Sequence, residues 1–164
     1  MPSSNATQPQ GDAERVAHEF RLQHMPGYLL RRLDSRATAI YEAHAGQSEL
    51  TPRQFGVLLT LFQTAPLTHT ELSSRLHLDL STLGEMLQRM GERGLIERRT
   101  AEHDRRASEV LLTAVGRATL LATVQQALAA QQSLLEPLPE YLRPVFLKCL
   151  EILADAHEPE QKLG

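Results

Sequence analysis

The stretch from Leu95 to Thr113, "LIERRTAEHDRRASEVLLT", limits the fold more than any other part of the chain. Polar Ser108 and Glu109 alternate with Val110 and Leu112, the two-residue period of a half-buried strand. The polar run "TAEHDRRA" is too long for a two-residue turn, so a hairpin with a long tip is predicted. Four arginines load it: Arg98, Arg99, Arg105 and Arg106. A lone two-stranded ribbon is marginal in water, so the rest of the chain must cover it.

What precedes the hairpin is patterned for helices. In "LTPRQFGVLLTLFQ", Thr51 can cap a helix with Pro52 at its first position and Phe55, Leu58, Leu59 and Phe62 along one face. Thr68 and Glu71 have capping-box spacing and open a helix predicted to end near Leu76. Asp79 can cap a further helix that Gly94 stops, with Leu83, Met86, Leu87 and Met90 as its buried stripe. Ser81, Gly84, Glu85, Gln88, Arg89 and Glu92 are left outward. Two short helices a few residues apart, the second amphipathic, make the pattern of a helix-turn-helix. With a basic-tipped hairpin behind them they make its winged form, in which the wing lies against phosphates or enters the minor groove.

The chain's net charge of −3 gives no global attraction to a polyanion, so the argument is local. All but Lys148 and Lys162 of the 17 basic residues are arginine, the side chain suited to planar contacts with phosphate and guanine. Residues at the start of a second helix dock in the major groove, where Ser, Thr, Gln and Arg can read base edges. Ser81, Thr82, Gly84, Glu85, Gln88 and Arg89 are therefore the candidate DNA contacts on the helix, and Arg105 and Arg106 those on the wing. Gly84 costs about 1 kcal/mol against alanine inside a helix, which suits a close backbone approach. Asp104 is expected to orient an arginine of the wing tip. The competing readings are a solvated helix face and a solvated charge run.

The ends are predicted to be long helices: one opening at Asp12, breaking near Met25, then presenting Leu30, Leu33, Ala37, Ile40, Tyr41 and His44 until Gly46. Another runs from a Thr113 cap with Leu121, Val124, Leu128 and Leu135 near heptad spacing, and ends before Pro137. In the last, Leu142, Val145, Phe146, Cys149 and Leu153 share a face, so Cys149 is expected to be a packing residue. One cysteine excludes an internal disulfide framework, and no run approaches the roughly 18 apolar residues of a membrane span. The first dozen residues lack the basic start and apolar run of a signal peptide, so a cytoplasmic location is expected.

These residues together resemble a MarR-type transcriptional regulator. The carriers are "LTPRQFGVLLTL", "LTHTELSSRLHLDLSTLGEMLQRMGERGLIERR" and "HDRRASEVLLTAVGR", with Asp104, Arg105, Arg106, Leu112, Thr113 and Gly116 similar to the wing and wing exit of that family. The resemblance implies a mainly α protein with a small β-hairpin wing: a winged helix-turn-helix DNA-binding domain at 50–113 and dimerisation helices at 13–46 and 114–158, beside a tail at 159–164 and an N-terminal tail at 1–12 that composition predicts to be disordered. It further implies a homodimer on a pseudo-palindromic double-stranded operator, most often as a repressor, released by a small aromatic carboxylate or phenolic effector. His18, Arg21, His24, Tyr28 and Arg31, with Phe55 as an aromatic wall, are the candidate effector site, with an interface network between subunits as the alternative. No cofactor, no metal site, no catalytic residue and no membrane partner is expected, since no histidine pair stands at i, i+4 and no nucleophile or phosphate-loop motif occurs. The rival function is a winged-helix protein-interaction module that no longer binds DNA, which salt-dependent DNA affinity would distinguish.

Overall fold

The computed structural model describes residues 9–45, 50–100 and 108–156. The chain forms two compact units, one up to Ala37 and one from Thr38 onward. In the first, α1 (Pro9–Glu19) begins three residues before the expected Asp12, so a helix takes in the end of the expected N-terminal tail. A 3₁₀ turn (Leu22–His24) fills the predicted break, and α2 (Pro26–Ala45) starts at Pro26, whose missing N–H costs a first-turn position nothing. Val16, Phe20, Leu22, Leu29 and Leu30 are exposed on this unit.

The second unit holds the last turns of α2, then α3 (Pro52–Thr64), β1 (Leu67–Thr68), α4 (His69–Leu76), α5 (Leu80–Glu92), β2 (Ile96–Thr100), β3 (Ser108–Leu112), α6 (Ala114–Leu135), a 3₁₀ turn (Glu140–Leu142) and α7 (Arg143–Ala154). The caps form as the sequence predicts. The Thr51 hydroxyl accepts from the Gln54 N–H at 3.3 Å while the Gln54 side chain accepts from the Thr51 N–H at 3.1 Å. Thr68 and Glu71 repeat the exchange. Gly94, at φ +69°, ends the helical stretch in the left-handed region that glycine enters freely.

The predicted hairpin forms from β2 and β3, and a third strand joins it. β1 pairs antiparallel with β3, giving the order β1-β3-β2, with Leu67 opposite Val110 and Arg98 opposite Val110 on its other side. A two-residue strand carries no periodicity, so the sequence does not announce it. The sheet closes one side of a core built from Val57, Leu58, Leu61, Leu72, Leu83, Leu87, Met90, Val110 and Leu120.

Three expected faces differ. On α3 the buried residues are Val57, Leu58 and Leu61, while Phe62 is exposed with the Arg117 guanidinium 4.8 Å from its ring centre. On α6 the chain buries Gly116, Leu120, Thr123, Ala127 and Ala130, leaving Leu121 and Leu128 about half exposed. Glycine and alanine beside the buried Leu120 let α6 sit close to its neighbours, while Leu121 and Leu128 lie to the other side. On α7 and the 3₁₀ turn before it no residue is buried: Leu142 of the turn and Val145 and Leu153 of the helix are exposed, and so is Cys149, which is therefore not an internal packing residue of the single chain.

Candidate nucleic-acid interface

The turn between α4 and α5 is built from hydrogen bonds. His77 caps α4 in the left-handed region, at φ 50°, its N–H bonded to the Ser73 carbonyl, and the Ser73 hydroxyl donates to the Leu78 carbonyl at 2.6 Å. Asp79 then caps α5: one carboxylate oxygen accepts from the Thr82 N–H at 2.8 Å and from the Ser81 hydroxyl at 2.7 Å. Hydrogen bonds from Thr82 and then from Ser81 hold the Asp79 carboxyl well below the usual carboxylate range. The start of the helix thus keeps a fixed negative charge against its own dipole.

The predicted stripe of α5, Leu83, Met86, Leu87 and Met90, is buried as expected. Ser81, Glu85, Gln88 and Glu92, at i, i+4, i+7 and i+11, lie on the opposite side and are all exposed. Arg89 flanks that line exposed, and Thr82 and Gly84 flank it half-buried. Gln88 donates its amide N–H to Glu92 at 3.1 Å. Among the described residues the side chains of Glu85 and Arg89 have no hydrogen bond or ion pair.

Nothing within the described residues requires glycine at 84 by close approach, since its nearest neighbour would be in ordinary contact with a side chain there. A Cβ there would sit 3.5 Å from Cε1 of His69, on α4. The Nε2 of His69 is buried without a hydrogen-bond partner among the described residues. Beside it a cleft of about 450 Å³ opens between α5 and β2, lined among others by Gly84, Gln88, Gly91 and Arg98.

The four hairpin arginines divide. Arg99 is bonded through Nε to Glu109 at 3.1 Å across the β2-β3 ladder, which holds the base of the wing in one shape. Arg98 stands opposite Val110 and turns to the cleft beside His69. Arg105, Arg106 and Asp104, the candidate wing-tip residues, lie outside the described residues. Arg93, which the candidate set omits, donates to the Gln54 side chain at 3.4 Å and so ties the end of α5 to the α3 cap.

The candidate effector residues do not all converge. Arg21 and His24 line a cleft of about 460 Å³ with Glu19, Phe20, Met25 and Pro26. His18 is exposed on α1 and Arg31 on α2, neither lining it. Tyr28 is half-buried with the Arg32 guanidinium 5.8 Å from its ring centre. Phe55 belongs to the larger unit, tilted against Tyr41 at 6.3 Å between ring centres. Phe20 and Met25 were legible only as large apolar residues beside a helix break. Burial raises the Tyr41 phenol, whose buried hydroxyl has no hydrogen-bond partner among the described residues.

In sequence and fold the chain is similar to known proteins. The sequence profile of the MarR family matches residues 50–108. An organic hydroperoxide resistance transcriptional regulator of Bacillus subtilis is 32% identical over 103 residues, covering 63% of this chain and 70% of its own length. The HTH-type transcriptional repressor NicR of Pseudomonas putida is 34% identical over 98 residues, covering 60% of this chain and 62%, less than two thirds, of its own. Among solved structures, Bordetella bronchiseptica BpsR, described for regulation of its DNA binding by 6-hydroxynicotinic acid, superposes with a TM-score of 0.80 at 28% identity, covering 84% of this chain and 99% of that one. The transcriptional repressor CouR bound to a 23-mer DNA duplex superposes with a TM-score of 0.76 at 30% identity, covering 81% and 94%.

Proposed function

The chain belongs to the MarR family of winged-helix transcriptional regulators, and from that premise we propose that it is a repressor, binding a pseudo-palindromic operator as a homodimer and leaving it when a small aromatic acid binds. The observation that carries the DNA-binding part is the exposed line Ser81, Glu85, Gln88 and Glu92 with Arg89 beside it, set directly opposite a fully buried stripe. A helix so presented, behind a built turn and before a strand ladder braced by Arg99 and Glu109, has its polar face free for a major groove. Arg105 and Arg106 serve as the wing's phosphate or minor-groove contacts, with Asp104 orienting them, and residues 50–113 as the DNA-binding domain.

The homodimer is supported by apolar side chains that the single chain leaves in water. Leu121 and Leu128 on α6 and Leu142, Val145 and Leu153 around α7 are exposed. A second copy of the chain is the partner that would cover them, with 13–46 and 114–158 as dimerisation segments. The effector reading is supported by the cleft that joins Arg21 and His24 to the Phe20 ring, a cation and a hydrogen-bonding imidazole beside an aromatic surface. BpsR is regulated by 6-hydroxynicotinic acid; a ligand of that chemistry, a ring bearing carboxylate and hydroxyl, suits those residues.

Fluorescence anisotropy against the DNA upstream of its own gene, beside a scrambled duplex at two salt concentrations, tests the proposal. Site-selective binding that weakens with salt is the expected result. A thermal-shift screen of aromatic and pyridine carboxylates then tests the effector, whose binding must also lower operator affinity. Equal and weak binding to both duplexes, together with failure to enrich any sequence from a random library, would overturn the DNA-binding function.

A further inference from the structure

The helix offered to DNA carries an acid that no described residue neutralises. Three carboxylates stand on α5 and its cap. Asp79 is held by the Thr82 N–H and the Ser81 hydroxyl, and Glu92 accepts from Gln88. Glu85, midway along the outward line, has no hydrogen bond or ion pair among the described residues. Arg89 is four residues on, the spacing at which a Glu and an Arg can pair along a helix, yet the two do not meet.

A free carboxylate between two walls of phosphate is repelled by the walls and by most of the groove floor. Guanine presents N7 and O6, thymine O4, and adenine N7, all acceptors. Only the N4 amino group of cytosine and the N6 amino group of adenine donate, and on adenine the donor sits beside the acceptor N7. Cytosine is therefore the base whose own major-groove edge offers a carboxylate a donor without an adjoining lone pair. We propose that Glu85 reads a cytosine N4 amino group, so that each half-site carries a C·G pair under the centre of α5. The proposal rests on the placement of α5 in the major groove. Glu85 works as much by exclusion as by attraction: with guanine or thymine beneath it the carboxylate faces only acceptors, and with adenine the N6 donor comes with the N7 lone pair, so binding is weaker there and over random DNA.

The test uses the full-length wild-type protein with E85Q and E85A. Each is taken through selection from a randomised duplex library, then titrated against its preferred site and all single-base changes of it. The wild type is expected to lose on the order of tenfold in affinity when one C·G pair per half-site is replaced. E85Q should move that position, and only that position, toward A·T, since a glutamine amide can match adenine N6 and N7 together. E85A should lose discrimination there, and both variants should bind random DNA more tightly than the wild type. Selective wild-type binding with base preferences unchanged at every position in both variants would overturn the inference while leaving the regulator intact, as would a wild-type preference for any pair other than C·G at the position the variants alter. No selective binding by the wild type would instead overturn the DNA-binding function itself.

Discussion

Gly116, in the first turn of α6, sets two physical effects against each other. It has an ordinary helical conformation, so propensity alone makes alanine better there by about 1 kcal/mol. Packing says the opposite. A Cβ at 116 would overlap the carbonyl oxygen of Leu95 and press within 3.1 Å of Cδ1 of Leu112. The Leu95 carbonyl cannot withdraw freely, because it accepts from the Thr113 N–H at 3.2 Å, and the Thr113 hydroxyl is anchored to the Gly94 carbonyl at 2.6 Å while accepting from the Gly116 N–H at 2.9 Å. Overpacking against such a point costs about 1–3 kcal/mol or somewhat more, and each weakened bond adds about 1 kcal/mol. G116A should therefore lose roughly 2–3 kcal/mol net of the propensity gain. For a chain of this size that is a fall in melting temperature of about 5–10 °C. Gly91 supplies the control: it is helical, and a Cβ there meets nothing within 4 Å. G91A should gain up to about 1 kcal/mol. Urea unfolding of both variants beside the wild type, with unchanged slopes, measures the two signs. If G116A proved as stable as the wild type or more so, the close approach between the wing entry and α6 would not be what glycine serves here.

The remaining expectations concern charge and assembly. Hydrogen bonding depresses both Asp79 and Glu71 from ordinary values of 3.8 and 4.5, so the stability they contribute is complete above those values and drains as pH falls through the folded ones. Urea midpoints should fall below about pH 4.5, and more shallowly in D79N, where asparagine keeps the cap without titrating; parallel curves would refute it. R106A should weaken operator binding and reduce the slope of log affinity against log salt by about 0.9, one phosphate contact; an unchanged slope in both R105A and R106A would remove the tip from the interface. L128E with L153E places charge on two exposed apolar positions of α6 and α7, and should convert a micromolar dimer to monomer in sedimentation velocity while leaving the helical circular dichroism in place.

The caps were the most legible part of the chain, because capping depends on residues three apart and little else. Thr51 with Gln54, Thr68 with Glu71, Asp79 and Thr113 all cap where the sequence places them. The stripe of α5 was legible because a short helix packed on one core shows a single face. α3 and α6 carry apolar residues around much of their circumference, so no single stripe stands out as it does on α5. Periodicity then cannot say that Leu61 rather than Phe62 is inside, or that Ala127 and Ala130 outrank Leu121 and Leu128. The partner of Arg99 depended on register: Glu109 faces it only because Arg98 stands opposite Val110. The cleft around Arg21 and His24 depended on a 3₁₀ turn three residues long, below the scale of any periodic signal.

On the proposed function, the outward line of α5 also gives a reason for two copies and a wing. With Glu85 and Glu92 on the line and Arg89 alone beside it, one recognition helix contributes little of the phosphate attraction that dominates non-specific binding. On that reading affinity comes from cations elsewhere in the protomer, the wing's arginines among them, and from joining two half-sites so that the second binds at high effective concentration. A base-reading helix that is poor at holding DNA in general is an advantage against a genome of competing sites, because the ratio of specific to random binding, and not affinity alone, decides occupancy. On the proposed function, the apolar faces left open on α6 and α7 would belong to the same design as the acids on α5: a weakly binding helix would set discrimination in the groove, and assembly would restore the strength.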